Sequence, residues 1–236
     1  MKLNHRILKN CIIQNKLLLS KNLVVQNFGN LSLRLDNDHF TIKPSGMDIN
    51  KIKPTDIPII KISDQKIVGG IYNPSVDTPT HLKIYKCFKE INSIAHTHSK
   101  FATAWAQSCK SIPNLGTTHS DYWLKSIPNL NFLSKTKVKK KYEKETGKLI
   151  TDYIKSNYHS PFDCPGVILS GHGAFTWGKE QNAAVIHAEL LEYISELAYH
   201  SINIQIKKKI PKYIIEKHFF RKHGKNSYYG QNKKKS

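Results

Sequence analysis

Three histidines are the residues of this chain whose types and spacing most readily do chemistry. His96 and His98 sit one residue apart in "INSIAHTHSK", and His172 lies in the glycine corner "SGHGAFTWG". In a strand, side chains repeat every second residue, so His96 and His98 project from one face; on a helix they diverge by about 200°. Apolar Ile91, Ile94 and Ala95 just upstream, with no helix cap between, predict a short buried strand that ends at the pair. Alone, the pair fits two solvated histidines better than it fits a metal, and the metal reading needs a third ligand from elsewhere. His172 also follows an apolar run, at 167–169, and neighbouring strands of one sheet bring their ends together. Three imidazoles plus an open position form the zinc pattern of catalytic rather than structural sites. Gly171 and Gly173 let backbone approach a ligand closely, although "GHG" also makes a plain turn. Gly171, Gly173 and Gly178 lack the GxGxxG spacing of a dinucleotide loop.

Small polar loops form a second theme. Gly29-Asn30, "KPSG" at 43–46 and "NPSVD" at 73–77 combine N–H groups, hydroxyls and Lys43 near strand ends. Such groups suit a phosphate oxygen, through turn N–H donors and charge-assisted bonds, but they also make turns that bind nothing. "GTTHSDYW" adds a carboxylate, Asp121, in a polar loop with His119 beside it.

The elements that must position these groups follow from periodicity. An amphipathic first helix carries Leu3, Ile7, Leu8, Cys11 and the run at 17–19 on one side, and its interrupting polar residues argue against a signal peptide. Alternation at Leu31, Leu33 and Leu35, a turn at 36–38, then Phe40 and Ile42 predict a hairpin, and "IPIIKISDQKIVGG" a second one turning at Ser63-Asp64. Thr78 as cap and Pro79 as first residue predict a helix start. Further helices are expected through "SKFATAWAQS" and over 138–156, 181–201 and 211–222. Strands and helices mixed in this order imply a single α/β domain.

The formal net charge is +20, which raises the question of nucleic acid or anionic lipid. Of the 37 basic residues, however, only Arg6, Arg34 and Arg221 are arginines, the residue that grips phosphate and guanine in bidentate fashion. Lysine is spread along the chain beside abundant Asn and Ile, a compositional bias at permissive surface positions, so no nucleic-acid partner is expected. No stretch reaches the ~18 apolar residues of a membrane span, so no membrane partner is expected either. Cys11, Cys87, Cys109 and Cys164 form no CxxC pair, and a reducing cytoplasm is the default.

Seven blocks in order, "GNLSLR", "IKPSGMD", "PSVDTPTH", "AHTHSKFATAWAQ", "GTTHSDYW", "PGVILSGHGAFTWGK" and "KHFFRKHGKNSYYGQ", resemble the class II aldolase/adducin family, and within it the sugar-phosphate epimerases. The resemblance covers nearly the whole chain. It implies a three-layer α/β/α domain over 1–230 with a central mixed, largely antiparallel sheet, and a basic tail at 231–236. It further implies one Zn2+ per subunit held by His96, His98 and His172, with Asp77 at the acidic position beside the metal. Aldolases of the family carry Glu there, so Asp favours an epimerase. Gly29, Asn30, Lys43, Ser45, Gly46, Ser75 and Val76 match the substrate and phosphate segments. Val76 departs from the usual serine, keeping the N–H and losing a hydroxyl donor; Ser170 departs from the histidine of some relatives. Asp121 and Tyr229 match the acid/base pair, Tyr229 reaching in from a neighbouring subunit of a four-fold homotetramer, with His218 and Arg221 at the same junction. The implied activity interconverts L-ribulose 5-phosphate and D-xylulose 5-phosphate by opening and closing the C3–C4 bond, in arabinose or ascorbate breakdown. A fuculose-phosphate type of aldolase is the nearest rival, and a binding module without metal a more distant one.

Overall fold

Leu31 and Leu33 alternate with Ser32 and Arg34 in β1 (Asn30–Arg34), which turns and returns as β2 (His39–Ile42), Leu33 opposite Thr41. The computed structural model describes residues 5–223 and 227–229; the basic tail at 231–236 lies outside them. The second expected hairpin is β3 (Ile59–Lys61) and β4 (Ile67–Gly69). On the other side of β1 lies β5 (Ser93–Thr97), the histidine strand, buried at every position. Beyond it come β8 (Ala174–Gly178), β7 (Gly166–Leu169) and the two-residue β6 (Asn129–Leu130). The order β4-β3-β2-β1-β5-β8-β7-β6 is antiparallel throughout except for β6 with β7. The expected mixed, largely antiparallel sheet is therefore present.

Among the described residues seven α-helices join the strands: α1 (His5–Ser20), α2 (Thr78–Cys87), α3 (Lys100–Gln107), α4 (Thr117–Ser120), α5 (Lys135–Asn157), α6 (Ala183–Asn203) and α7 (Lys212–His223). The period-2 rule sorts the core. Ile94 and Ala95 are adjacent in β5 but fall in different clusters, one packed with Leu82 and Ile84 of α2 and Ile150 of α5, the other with Leu8 and Leu18 of α1 and Ala184 of α6. This gives three layers. Among the described residues no helix is long and apolar enough to cross a membrane.

Three expectations are corrected. The cap position of α2 is Asp77 rather than Thr78, because Thr78 already has its hydroxyl bonded to the Ser75 carbonyl inside the turn (2.6 Å). The lysine-rich helix starts at Lys135 and is broken at Lys141 (φ −159°, ψ 74°), so the chain re-enters it at Tyr142. The strand β8 follows the glycine corner directly, where the sequence reading placed no strand.

Candidate metal centre and active site

β5 carries His96 as its penultimate residue and ends before His98, so both rings fall on one face of the sheet. Pairing of β5 with β8 sets His96 opposite Phe175, on which its ring stacks at 4.2 Å. β7 and β8 form a tight hairpin whose turn carries His172: Gly171 takes a left-handed φ of +68°, and Leu169 N–H bonds to the Gly173 carbonyl at 2.8 Å. The three ring centroids then stand 4.7, 4.8 and 5.1 Å apart. One nitrogen from each histidine lies within 4.8 Å of the others.

The chemistry of this donor set fits a metal ion. His96 Nδ1–H donates to the Ala174 carbonyl at 3.0 Å, which leaves its Nε2 lone pair to the cluster, 3.0 Å from Nε2 of His98. Burial holds His96 well below its ordinary pKa, and the His172 and His98 charges push the same way. Burial also lowers His98 and His172, with Asp77 opposing in part. All three are thus biased toward the neutral form that ligates.

A cavity of about 260 Å³ opens over the cluster, lined by Gly29, Asn30, Lys43, Ser45, Gly46, Ser75, Val76 and Asp77 with the three histidines. Asp77 is on the wall, while the convergent group consists of the histidines. Its side chain makes no cap bond to α2; instead Asn30 Nδ2 donates to Asp77 Oδ2 at 2.7 Å. Lys43 is buried and donates from Nζ to the Asn27 carbonyl at 3.1 Å, and burial lowers its pKa, with Asp48 partly offsetting. The two polar loops clasp each other: Ser45 N–H bonds to the Asn73 carbonyl and Ser75 N–H to the Lys43 carbonyl, both at 3.0 Å. Those two donors are therefore consumed. Among the described residues, the N–H groups of Gly46 and Val76 are left without a protein partner at the rim.

Asp121, His218, Arg221 and Tyr229 gather elsewhere. Asp121 follows α4 and meets α7, where Arg221 forks onto it (Nε to Oδ1 3.1 Å, Nη2 to Oδ2 2.9 Å) and His218 Nδ1 donates at 3.2 Å. Partial burial opposes ionisation of Asp121, but the Arg221 bonds and the Lys222 charge outweigh it and hold the carboxyl below its ordinary pKa. The Tyr229 ring lies 5.0 Å from the Arg221 guanidinium carbon and is exposed. None of these four lines the histidine cavity of its own chain. His119 is turned into the core, its Nε2 bonded to the Lys125 carbonyl at 3.0 Å.

Sequence reasoning missed Tyr142 and Glu143, which line the cavity from α5. They sit in "KKKYEKETG", which reads as a solvated charged face. The one usable signal was Gly147 inside a helix: a Cβ there would stand 3.0 Å from the Thr80 backbone, so α5 and α2 come into unusually close contact.

The profile of the family described as Class II Aldolase and Adducin N-terminal domain matches residues 11–199. The chain belongs to that family. Solved structures with the same fold include an L-fuculose 1-phosphate aldolase at 21% identity, covering 91% of this chain and 97% of that one with a TM-score of 0.74. YgbL of Escherichia coli, described as a putative aldolase/epimerase/decarboxylase, is 18% identical over 92% of this chain and 99% of its own, with a TM-score of 0.73. The L-fuculose-1-phosphate aldolase of Thermus thermophilus is 21% identical over 86% and 99%, with a TM-score of 0.66. Family membership thus accounts for the three-layer fold.

Proposed function

We propose that this class II aldolase family member is a cytoplasmic, Zn2+-dependent L-ribulose-5-phosphate 4-epimerase working as a homotetramer. The observation that carries the reading is that three mutually close histidines, a carboxylate and a rim of backbone donors share one cavity of sugar-phosphate size. The Asp at position 77 and the block ending in "SYYGQ" favour epimerase over aldolase.

The C4 hydrogen of a ketopentose phosphate is not acidic, so direct deprotonation is a poor route to inversion. In a retro-aldol route a base takes the C4 hydroxyl proton, the C3–C4 bond breaks, and its electron pair moves into the C2 carbonyl, leaving an enediolate and glycolaldehyde phosphate. A metal held by His96, His98 and His172 would supply Lewis-acid stabilisation of that charge. The N–H groups of Gly46 and Val76, with Lys43, would retain the aldehyde's phosphate while the carbonyl turns its other face. Re-addition then needs a proton for the new C4 alkoxide, so one group is required on each side. Asp121 and Tyr229 take these two roles. Because they lie outside the cavity of their own chain, the reading places them at a neighbour's cavity, each site being shared by two subunits.

The structural likeness to fuculose-phosphate aldolases keeps aldol cleavage as the second reading. A coupled assay decides between them. L-ribulose 5-phosphate is expected to give D-xylulose 5-phosphate with wild-type protein and not with His98→Asn. Accumulation of free aldehyde without epimer would establish the aldolase instead.

A further inference from the structure

Tyr142 Oη lies 3.2 Å from Nδ1 of His172. We infer that Tyr142 is a positioning residue of the metal centre, its hydroxyl accepting a hydrogen bond from His172 Nδ1–H and so reserving Nε2 of that ring for the ion. The inference rests on the metal-centre part of the reading above and is independent of which sugar reaction follows.

His172 needs such a partner more than His96 does. His96 is fixed by the Ala174 carbonyl from within the sheet, whereas His172 sits in a hairpin turn. A neutral imidazole carries its proton on either nitrogen, and an acceptor at Nδ1 favours the tautomer whose Nε2 lone pair is the ligand. Tyr142 supplies that acceptor from outside the sheet, and three features hold it there. The break at Lys141 stops the preceding turn from continuing the helix, so that Tyr142 opens a new segment. The next residue is tied down by Thr80 Oγ1 donating to the Glu143 carbonyl at 2.6 Å. One turn on, Gly147 allows the backbone contact with α2. The irregularity in α5 therefore has a consequence at the metal, through one oxygen.

The test compares zinc affinity of wild-type and Tyr142→Phe protein by chelator competition, with unfolding of the metal-free forms as the control for folding. Loss of the oxygen is expected to weaken zinc binding about tenfold, within the range for groups that orient a ligand, while metal-free unfolding is unchanged. In a His172→Gln background the same substitution is expected to cost nothing further, because Tyr142 acts through that ring. The His172 Nδ1–H resonance in zinc-loaded protein should also move on Tyr142→Phe, which a purely architectural role would not produce. Equal zinc affinity of wild-type and Tyr142→Phe, or equal loss in both backgrounds, overturns the role of Tyr142. Failure of the wild-type protein to bind zinc overturns the metal centre itself.

Discussion

Asn30 Nδ2 donates to Asp77 Oδ2 at 2.7 Å, tying the first residue of β1 to the residue that precedes α2. An aspartate at a helix cap ordinarily accepts from the helix's own N–H groups, worth about 0.5–2 kcal/mol. Asp77 forgoes that bond and its side chain is held at the cavity wall.

Asn30→Ala should therefore separate stability from function. The freed carboxylate can return to capping α2, so urea unfolding is expected to change by no more than about 1 kcal/mol. Turnover of L-ribulose 5-phosphate is expected to fall at least about tenfold, the usual cost of losing a group that orients an active-site residue. A loss of stability well beyond that bound, with turnover retained per folded molecule, would make Asn30 a structural residue only.

Much of this arrangement was legible in sequence, and the reason is period. The alternation at Leu31, Leu33 and Leu35 gave a hairpin with its turn at 36–38, and His-x-His on a strand put both rings on one face. What stayed hidden lacks period. β8 is buried at all five positions, so "AFTWG" shows no polar alternation to mark it as a strand. The break at Lys141 sits inside a lysine run that reads as uninterrupted helix. The Ser45 and Ser75 N–H groups suggested free phosphate donors, but the clasp between the two loops uses both, and that contact is tertiary. Asp121 meets Arg221 across a hundred positions of sequence, which no local pattern encodes.

If two chains build each site, inactive variants should rescue one another. His98→Asn removes one histidine of the proposed metal centre and Asp121→Asn removes the distant carboxylate. Co-expressed in equal amounts and mixed at random around a ring, a site with both groups intact arises about one time in four, so about a quarter of wild-type activity is expected. Each variant alone should stay near background. No recovery in the mixed protein would mean that both contributions come from a single chain.

Acid should weaken the fold before it touches the carboxylates. Burial pushes His81 down to about 3 and His119 to about 4, the Lys125 carbonyl partly offsetting the latter, and pushes His187 to about 4 with the Trp177 carbonyl offsetting. Unfolded, each titrates near 6.5. Between those limits the unfolded chain binds protons that the folded chain refuses, so this stability is complete above about pH 6.5 and declines as the pH falls toward 4. Each histidine contributes a slope of up to about 1.4 kcal/mol per pH unit. Unfolding free energies from urea titrations at pH 7, 6 and 5 should show the decline. His119→Gln, whose amide can still reach the Lys125 carbonyl, should have a shallower slope by roughly one histidine's share; an unchanged slope would mean that His119 is not held neutral.

The corner that delivers His172 depends on a missing side chain. A Cβ on Gly173 would lie 2.5 Å from the Thr97 carbonyl oxygen, an atom of β5 between the two other histidines. That oxygen belongs to backbone inside the sheet and cannot swing away, so Gly173→Ala must push the β7–β8 turn and β5 apart. The strain is expected to cost about 1–3 kcal/mol, the range for overpacking. Because the displaced turn carries His172, while His96 lies in β5 and His98 just beyond its end, zinc affinity measured on the folded fraction should fall as well. Gly46→Ala offers the contrast: no atom lies within 4 Å of a Cβ there, although its φ of +65° carries a backbone penalty of its own. It should lose stability without losing zinc. Retention of full zinc affinity by Gly173→Ala, despite the loss of stability, would show that the three histidines do not need this spacing to hold the ion.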